Sequence, residues 1–160
     1  MTFEDPKFPL ILDKIQAGQP LAAEDAMTIY HSHDLHGIGQ LASLVREQRH
    51  GRRAWPRLHL GPAPVSTASK QERIATMLGM GEVAEYEPPL CPGVSGYTYL
   101  KHVAVARLLL GGVTHIIVRY CPEVENVCQL ALRFGADTLS GTNVQELERQ
   151  LRAAGLEPVL

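Results

Sequence analysis

A chain of 160 residues with 45% apolar and 20% charged side chains is the size of one domain with an ordinary buried core. Its formal charge of −2 offers no cationic field for nucleic acid or an anionic membrane. The longest apolar run, Val103–Val118, is broken by Arg107 and His115 and is too short to span a bilayer. Met1–Leu10 carries two acids and two prolines rather than a secretory signal, so a soluble, cytoplasmic protein is expected.

In chain order, the first 50 residues read as a helical arm. A helix over Pro9–Ala17 stops at Gly18, and a second covers Ala22–Tyr30. A third begins near Asp34 with Leu35, Ile38, Leu41, Ala42 and Val45 on one stripe, with Ser32 or Asp34 as its N-cap. Residues 50–64, rich in glycine and proline, form a connection with one short strand, Arg57–Leu60. Ser69–Lys70–Gln71–Glu72 is a capping box that opens a helix ending at Gly79. Val83–Glu87 alternates as a strand and stops at Pro88–Pro89. A helix over Tyr97–Leu110, closed by Gly111–Gly112, precedes a β-branched run, Thr114–Tyr120, that reads as a buried parallel strand. A Pro122–Phe134 helix, a short strand at Asp137–Ser140, a second capping box at Thr142–Gln145 with its helix to Ala154, and a last strand, Glu157–Leu160, complete the pattern. This alternation predicts an α/β fold, one domain over residues 1–160. It comprises the arm (1–50) and a core (51–160) of βα units in a mainly parallel sheet with right-handed crossovers.

Cys91, Cys121 and Cys128 are an odd count, and the closest pair is seven residues apart. That excludes a disulfide framework and the short-spaced thiolates of a zinc or iron–sulfur site. Cys128 shares a helix face with Val124, Val127 and Ala131 and reads as a small core residue. The cluster His31, His33 and His36 matches no metal template, and its simplest reading is a polar helix start. No metal site is expected. Cys91 and some histidine could form a nucleophile–base pair, but nothing in the sequence selects the histidine.

Arg107 stands alone as a charge in an otherwise apolar helix. It must find an internal partner, snorkel, or clamp an anion or carboxylate. The segment Gly135–Thr142 offers Asp137, Thr138, Ser140 and Thr142 where a parallel strand is expected to give way to a helix. Ligands of α/β proteins collect at such strand ends, and a helix start presents free N–H groups to anions. Ordinary capping, with Thr142 as N-cap, explains the same residues. Ser95, before Gly96, is a further polar loop position.

Two blocks carry a resemblance to a known family. Asp13–Gly51 ends in an RxxxHG run, and Ser95 to about Pro158 contains SGYTYLK, VARLLL, HI and LALRFGADTLSGT in order; together they span about two-thirds of the chain. These blocks resemble the radical S-adenosylmethionine enzymes of the futalosine route to menaquinone, the aminofutalosine synthases and dehypoxanthine futalosine cyclases, and the related second subunit of the deazaflavin (FO) synthase. The resemblance implies a barrel of βα units and a 4Fe–4S cluster held by a CxxxCxxC run just after His50–Gly51. This chain has no cysteine there, residues 65–90 are too few for the middle of such a barrel, and Gln145 replaces the first of an acidic pair of which Glu146 is the second. No cluster cofactor, and so no radical activity from this chain alone, is expected, because reductive cleavage needs three thiolates on three irons. The expectation is a partial barrel that serves as a binding or accessory module for a nucleoside-like or anionic small molecule. The alternative is a small enzyme with non-radical chemistry around Asp137, Ser140 and Arg107. Open sheet edges lead to an expected homodimer, or docking on a pathway protein, with no nucleic-acid or membrane partner.

Overall fold

The computed structural model describes residues 1–59, 61–111 and 115–160. Three helices come first: α1 (Phe8–Gln16), α2 (Ala23–His31) and α3 (Leu35–His50). Asp34 caps α3 by accepting the Gly37 N–H at 2.7 Å, and its second oxygen accepts the Glu4 N–H at 2.8 Å, which ties the chain start to the arm. The expected stripe is realised, with Ile38, Leu41 and Ala42 fully buried.

Five strands and four helices follow: β1 (Arg53–Leu58), α4 (Lys70–Gly79), β2 (Glu85–Tyr86), α5 (Gly96–Leu109), β3 (His115–Arg119), α6 (Glu125–Arg133), β4 (Thr138–Gly141), α7 (Val144–Ala153) and β5 (Glu157–Pro158). The strands form one all-parallel sheet in the order β2-β3-β4-β1-β5, with β2 and β5 at its edges. The α/β reading with βα units and a leading helical arm is what the structure has.

Helix α5 is apolar on every side from Val103 to Leu109 except at Arg107, and is touched by α2, α3, α4, α6 and β3. Residues Val103 to Arg107 are all without solvent exposure. Ile116, Val118, Leu139 and Ala54 bring one sheet face into the same core that holds Phe8, Ile29 and Leu41 of the arm. Burying each of the larger of these side chains contributes about 1.5–3 kcal/mol. The other face carries the alternate residues: Trp55 and Arg57 on β1, Thr138 and Ser140 on β4, His115, Ile117 and Arg119 on β3. Among the described residues no helix is long and apolar enough to cross a membrane.

Several local expectations are corrected. Strand β1 lies four residues earlier than Arg57–Leu60, and Leu60 is outside the described residues, as are Gly112 and Thr114 of the expected third-strand boundary. Pro56 is tolerated inside β1 for a geometric reason. Trp55 and His59 donate toward the β4 side, to Asp137 O and Gly141 O, so the donor-less nitrogen of Pro56 faces the β5 side. Pairing with β5 stops at Ala54↔Pro158, so that nitrogen meets no partner strand. The Pro122 helix begins as a single 3-10 turn over Pro122–Val124 before α6. The N-cap of α7 is Asn143, accepting the Glu146 N–H at 3.3 Å, rather than Thr142.

Candidate functional site

The segment Gly135–Thr142 does not form a single strand-end turn. Strand β4 runs through it, so Asp137 sits at the amino end of the sheet and Thr142 beyond the carboxyl end. The polar residues expected to act together are divided between opposite ends of one strand.

At the amino end, Asp137 is a hub. Its carboxylate pairs with the Arg107 guanidinium, and both side chains are 0% exposed. Arg107 Nε donates to Gly135 O at 2.7 Å. Gly135 is required here: its φ is +100°, and a Cβ would lie 2.8 Å from Arg107 Cβ and Cγ. Thr138 donates its hydroxyl to Asp137 Oδ1 at 2.8 Å, and the Ile116 N–H reaches Oδ2 at 3.4 Å. Two histidines complete the group: His115 Nδ1 lies 3.0 Å from Asp137 Oδ1, and His50 Nε2 lies 3.5 Å from Oδ2. Their rings stack at 5.4 Å, and Trp55 packs edge-on against both. Burial pulls the Arg107 guanidinium below its ordinary range, and the neighbouring Asp137 charge opposes that pull.

Among the described residues, His50, His115 and Asp137 are one group of three potential metal ligands, with their candidate atoms within 4.8 Å of one another. The donor set fits an ion pair better than a cation. Arg107 already neutralises Asp137, and a divalent ion would sit beside a buried guanidinium at a large Coulombic cost. Sequence reasoning singled out Arg107, Asp137 and Thr138 but missed His50, His115 and Trp55. The two histidines lie in the RxxxHG and HI pieces, yet no local spacing links residues so far apart in the chain.

Toward the carboxyl end, Ser140 is buried on the polar face, level with Arg57 on one side and Arg119 on the other. Its hydroxyl has no hydrogen-bond partner among the described residues. Arg57 pairs with Glu85 across β4 and β3, and Arg119 pairs with Glu87 and donates to Gly61 O and Pro62 O at 2.9 Å. Beyond the strand ends, His59, Tyr120, Thr142, Asn143 and Glu146 line a hollow of about 250 Å³. Tyr120 donates to Glu146 at 3.0 Å. Ser95 caps α5, accepting the Thr98 N–H at 3.3 Å, and joins neither group.

The implied 4Fe–4S cluster does not fit the cysteines. Cys91 lies against Arg73 and His102, Cys121 donates to Glu123 at 2.6 Å, and Cys128, buried as expected, donates to Arg119 O at 3.2 Å. Each thiol is engaged by a different partner, Cys91 stands apart from the other two, and no step is derived through a cluster.

No protein-family model matches the chain. Part of it is similar to the aminodeoxyfutalosine synthase of Thermus thermophilus, at 37% identity over 51 residues. That stretch is 32% of this chain and 14% of that enzyme, so the similarity covers a small part of that enzyme's length.

Proposed function

We propose that this protein is a non-radical, shortened relative of the menaquinone-pathway radical S-adenosylmethionine enzymes, working in the cytoplasm as a binding or accessory module. Its ligand is a small anionic or nucleoside-like molecule, held at the carboxyl ends of β1, β3 and β4. The observation that carries this reading is the buried, unpartnered Ser140 hydroxyl between Arg57 and Arg119. A buried hydroxyl without a partner costs about 1–3 kcal/mol, a cost that a bound polar group removes. The hollow beyond these strand ends, lined by His59, Tyr120 and Thr142, is smaller than the ~300–1,000 Å³ of ordinary ligand clefts, which suits a small anion or one end of a nucleoside. The partial likeness to an aminodeoxyfutalosine synthase supports the choice of ligand class.

The reading includes docking on a second copy or on a full-length pathway enzyme through the sheet edges at β2 and β5. The alternative, a non-radical enzyme around Asp137, Ser140 and Arg107, is less favoured because Arg107 and Asp137 do not reach solvent and Ser140 lies toward the other end of the strand. Ligand-observed NMR with a futalosine-like nucleoside tests the proposal. Binding is expected for the native chain and at least about tenfold weaker binding for Ser140→Ala and Arg57→Gln, as loss of one hydrogen bond to a charged or buried group implies. Absence of binding to the native chain refutes it.

A further inference from the structure

A third constellation lies away from both ends of β4 and draws its members from four separate elements. The segment after β2 is pinned by a parallel bridge between Leu90 and Val65, with the Leu90 N–H donating to Pro64 O at 2.9 Å. This fixes the next residue, the half-buried free thiol Cys91. His102 of α5 places Nε2 3.8 Å from the Cys91 sulfur, and its Nδ1 lies 3.0 Å from the hydroxyl of Tyr30 on α2. Arg73 of α4 donates to the same sulfur.

Arg73 supplies the independent argument. It is only 7% exposed, yet among the described residues no carboxylate lies within ion-pairing distance of it. Its other hydrogen bonds are long ones to the carbonyls of Ala68 (3.4 Å) and Ser66 (3.5 Å). A buried guanidinium without a counter-ion is costly. The atom standing where a carboxylate would stand is the sulfur of Cys91, so Arg73 is placed to stabilise negative charge that develops on it.

We propose that Cys91 is a nucleophilic thiol, with His102 as its proton acceptor and Arg73 stabilising the thiolate, and that it acts on small acyl esters and thioesters. Burial first, and then the charges of Arg73 and Lys70, hold His102 down to about 4, so the imidazole is neutral at pH 7 and has a lone pair to accept with. With Nδ1–H donated to the Tyr30 oxygen, that lone pair lies on Nε2 and faces Cys91. Burial keeps the Tyr30 phenol protonated. Tyr30 is a positioning residue, and the three groups form a nucleophile, a base and an orienting partner.

The chemistry balances with water as co-substrate. The thiol proton passes to His102 Nε2 while a sulfur electron pair forms the C–S bond and the carbonyl π pair moves onto oxygen. Collapse of the adduct restores the carbonyl and expels the alkoxide or thiolate, which takes the proton from His102. Water then attacks the acyl-enzyme, His102 accepts its proton, and the departing Cys91 sulfur recovers that proton as the acid is released. The 3.8 Å separation is loose, as such pairs are before substrate closes them.

The test uses the full chain with p-nitrophenyl acetate, followed by p-nitrophenolate release and by mass spectrometry of peptides. An initial burst with one acetyl group on Cys91 is expected, with none on Cys121 or Cys128. Cys91→Ser, at a half-exposed position, abolishes the burst while the far-UV spectrum is unchanged. His102→Gln slows acetylation at least about a hundredfold, the usual scale of a general base. Arg73→Gln slows iodoacetamide labelling of Cys91 roughly tenfold, as loss of one hydrogen bond to a charged group implies, and leaves Cys121 labelling as an internal control. Tyr30→Phe moves the pH profile of acetylation, a readout that loss of packing alone leaves in place. Acetylation spread evenly over the three cysteines, or a rate unchanged in a folded His102→Gln protein, overturns the proposal.

Discussion

The substitution Asp137→Asn keeps the shape of a side chain and removes its charge, and the structure sets the size of the consequence. Arg107 and Asp137 are both without solvent exposure, so no water replaces the lost carboxylate and Arg107 is left as a buried cation. Breaking a buried pair from one side costs about 3–5 kcal/mol, a large share of the ~5–15 kcal/mol that holds a domain folded. At about 2–4 °C per kcal/mol for a chain of this size, the melting temperature falls by about 6–20 °C. Urea and thermal unfolding followed by far-UV circular dichroism measure both quantities. Removing both charges in Arg107→Met/Asp137→Leu should restore much of the loss, because a desolvated ion pair gives little net stabilisation over apolar groups that fit. A single variant that loses less than about 1 kcal/mol, the value of an exposed pair, refutes the reasoning. So does a double variant that loses the sum of its parts.

Other outcomes follow from local geometry. Gly135→Ala adds a methyl 2.8 Å from Arg107 at a φ of +100° and should cost at least about 2 kcal/mol. Gly18→Ala, at φ +67° with open space around it, should cost about 1 kcal/mol in the same urea titration. Ser69→Ala removes the hydroxyl that accepts the Glu72 N–H at 3.2 Å and should cost about 1 kcal/mol, read as a lower denaturation midpoint with unchanged slope. Hydrogen bonds from Arg149, Gln150 and Tyr120 hold the Glu146 carboxyl down to about 2. A depressed folded-state value means the stabilisation is complete above the unfolded range near pH 4.3 and is lost as pH falls toward 2. A carbon-13 titration of Glu146 with an ordinary midpoint contradicts this.

Where a single residue decides a local structure, the sequence was legible. Asp34 and Ser69 cap their helices, and Gly18 and Gly155 stop theirs. The misreadings share a cause. The expected first strand, Arg57–Leu60, begins after Pro56, and that Pro56 fits inside β1 depends on where β5 stops, which is tertiary information. The strand expected at Asp137–Ser140 is there as Thr138–Gly141, but its length sets Asp137 and Thr142 at opposite ends of the sheet, so the polar residues grouped as one site are split. Arg107 announced that it needed a partner, but only folding names Asp137. His50 and His115 come from a helix end and a strand start that meet at the amino edge of the sheet, so no spacing rule could have joined them. Cys91 likewise gains its histidine only when α5 passes beneath the pinned loop.

Pro56 also gives the sheet a direction of growth. A strand that lengthened β5 alongside β1 would reach, at Pro56 just past Ala54, a position with no N–H to donate to the neighbour's carbonyl. The row of backbone donors on that flank is interrupted at Pro56. At the opposite flank, the outer edge of β2 carries no proline between Glu85 and Tyr86. The two edges proposed for docking therefore differ: β2 carries no proline, whereas extended pairing along β1 past β5 loses one donor at Pro56.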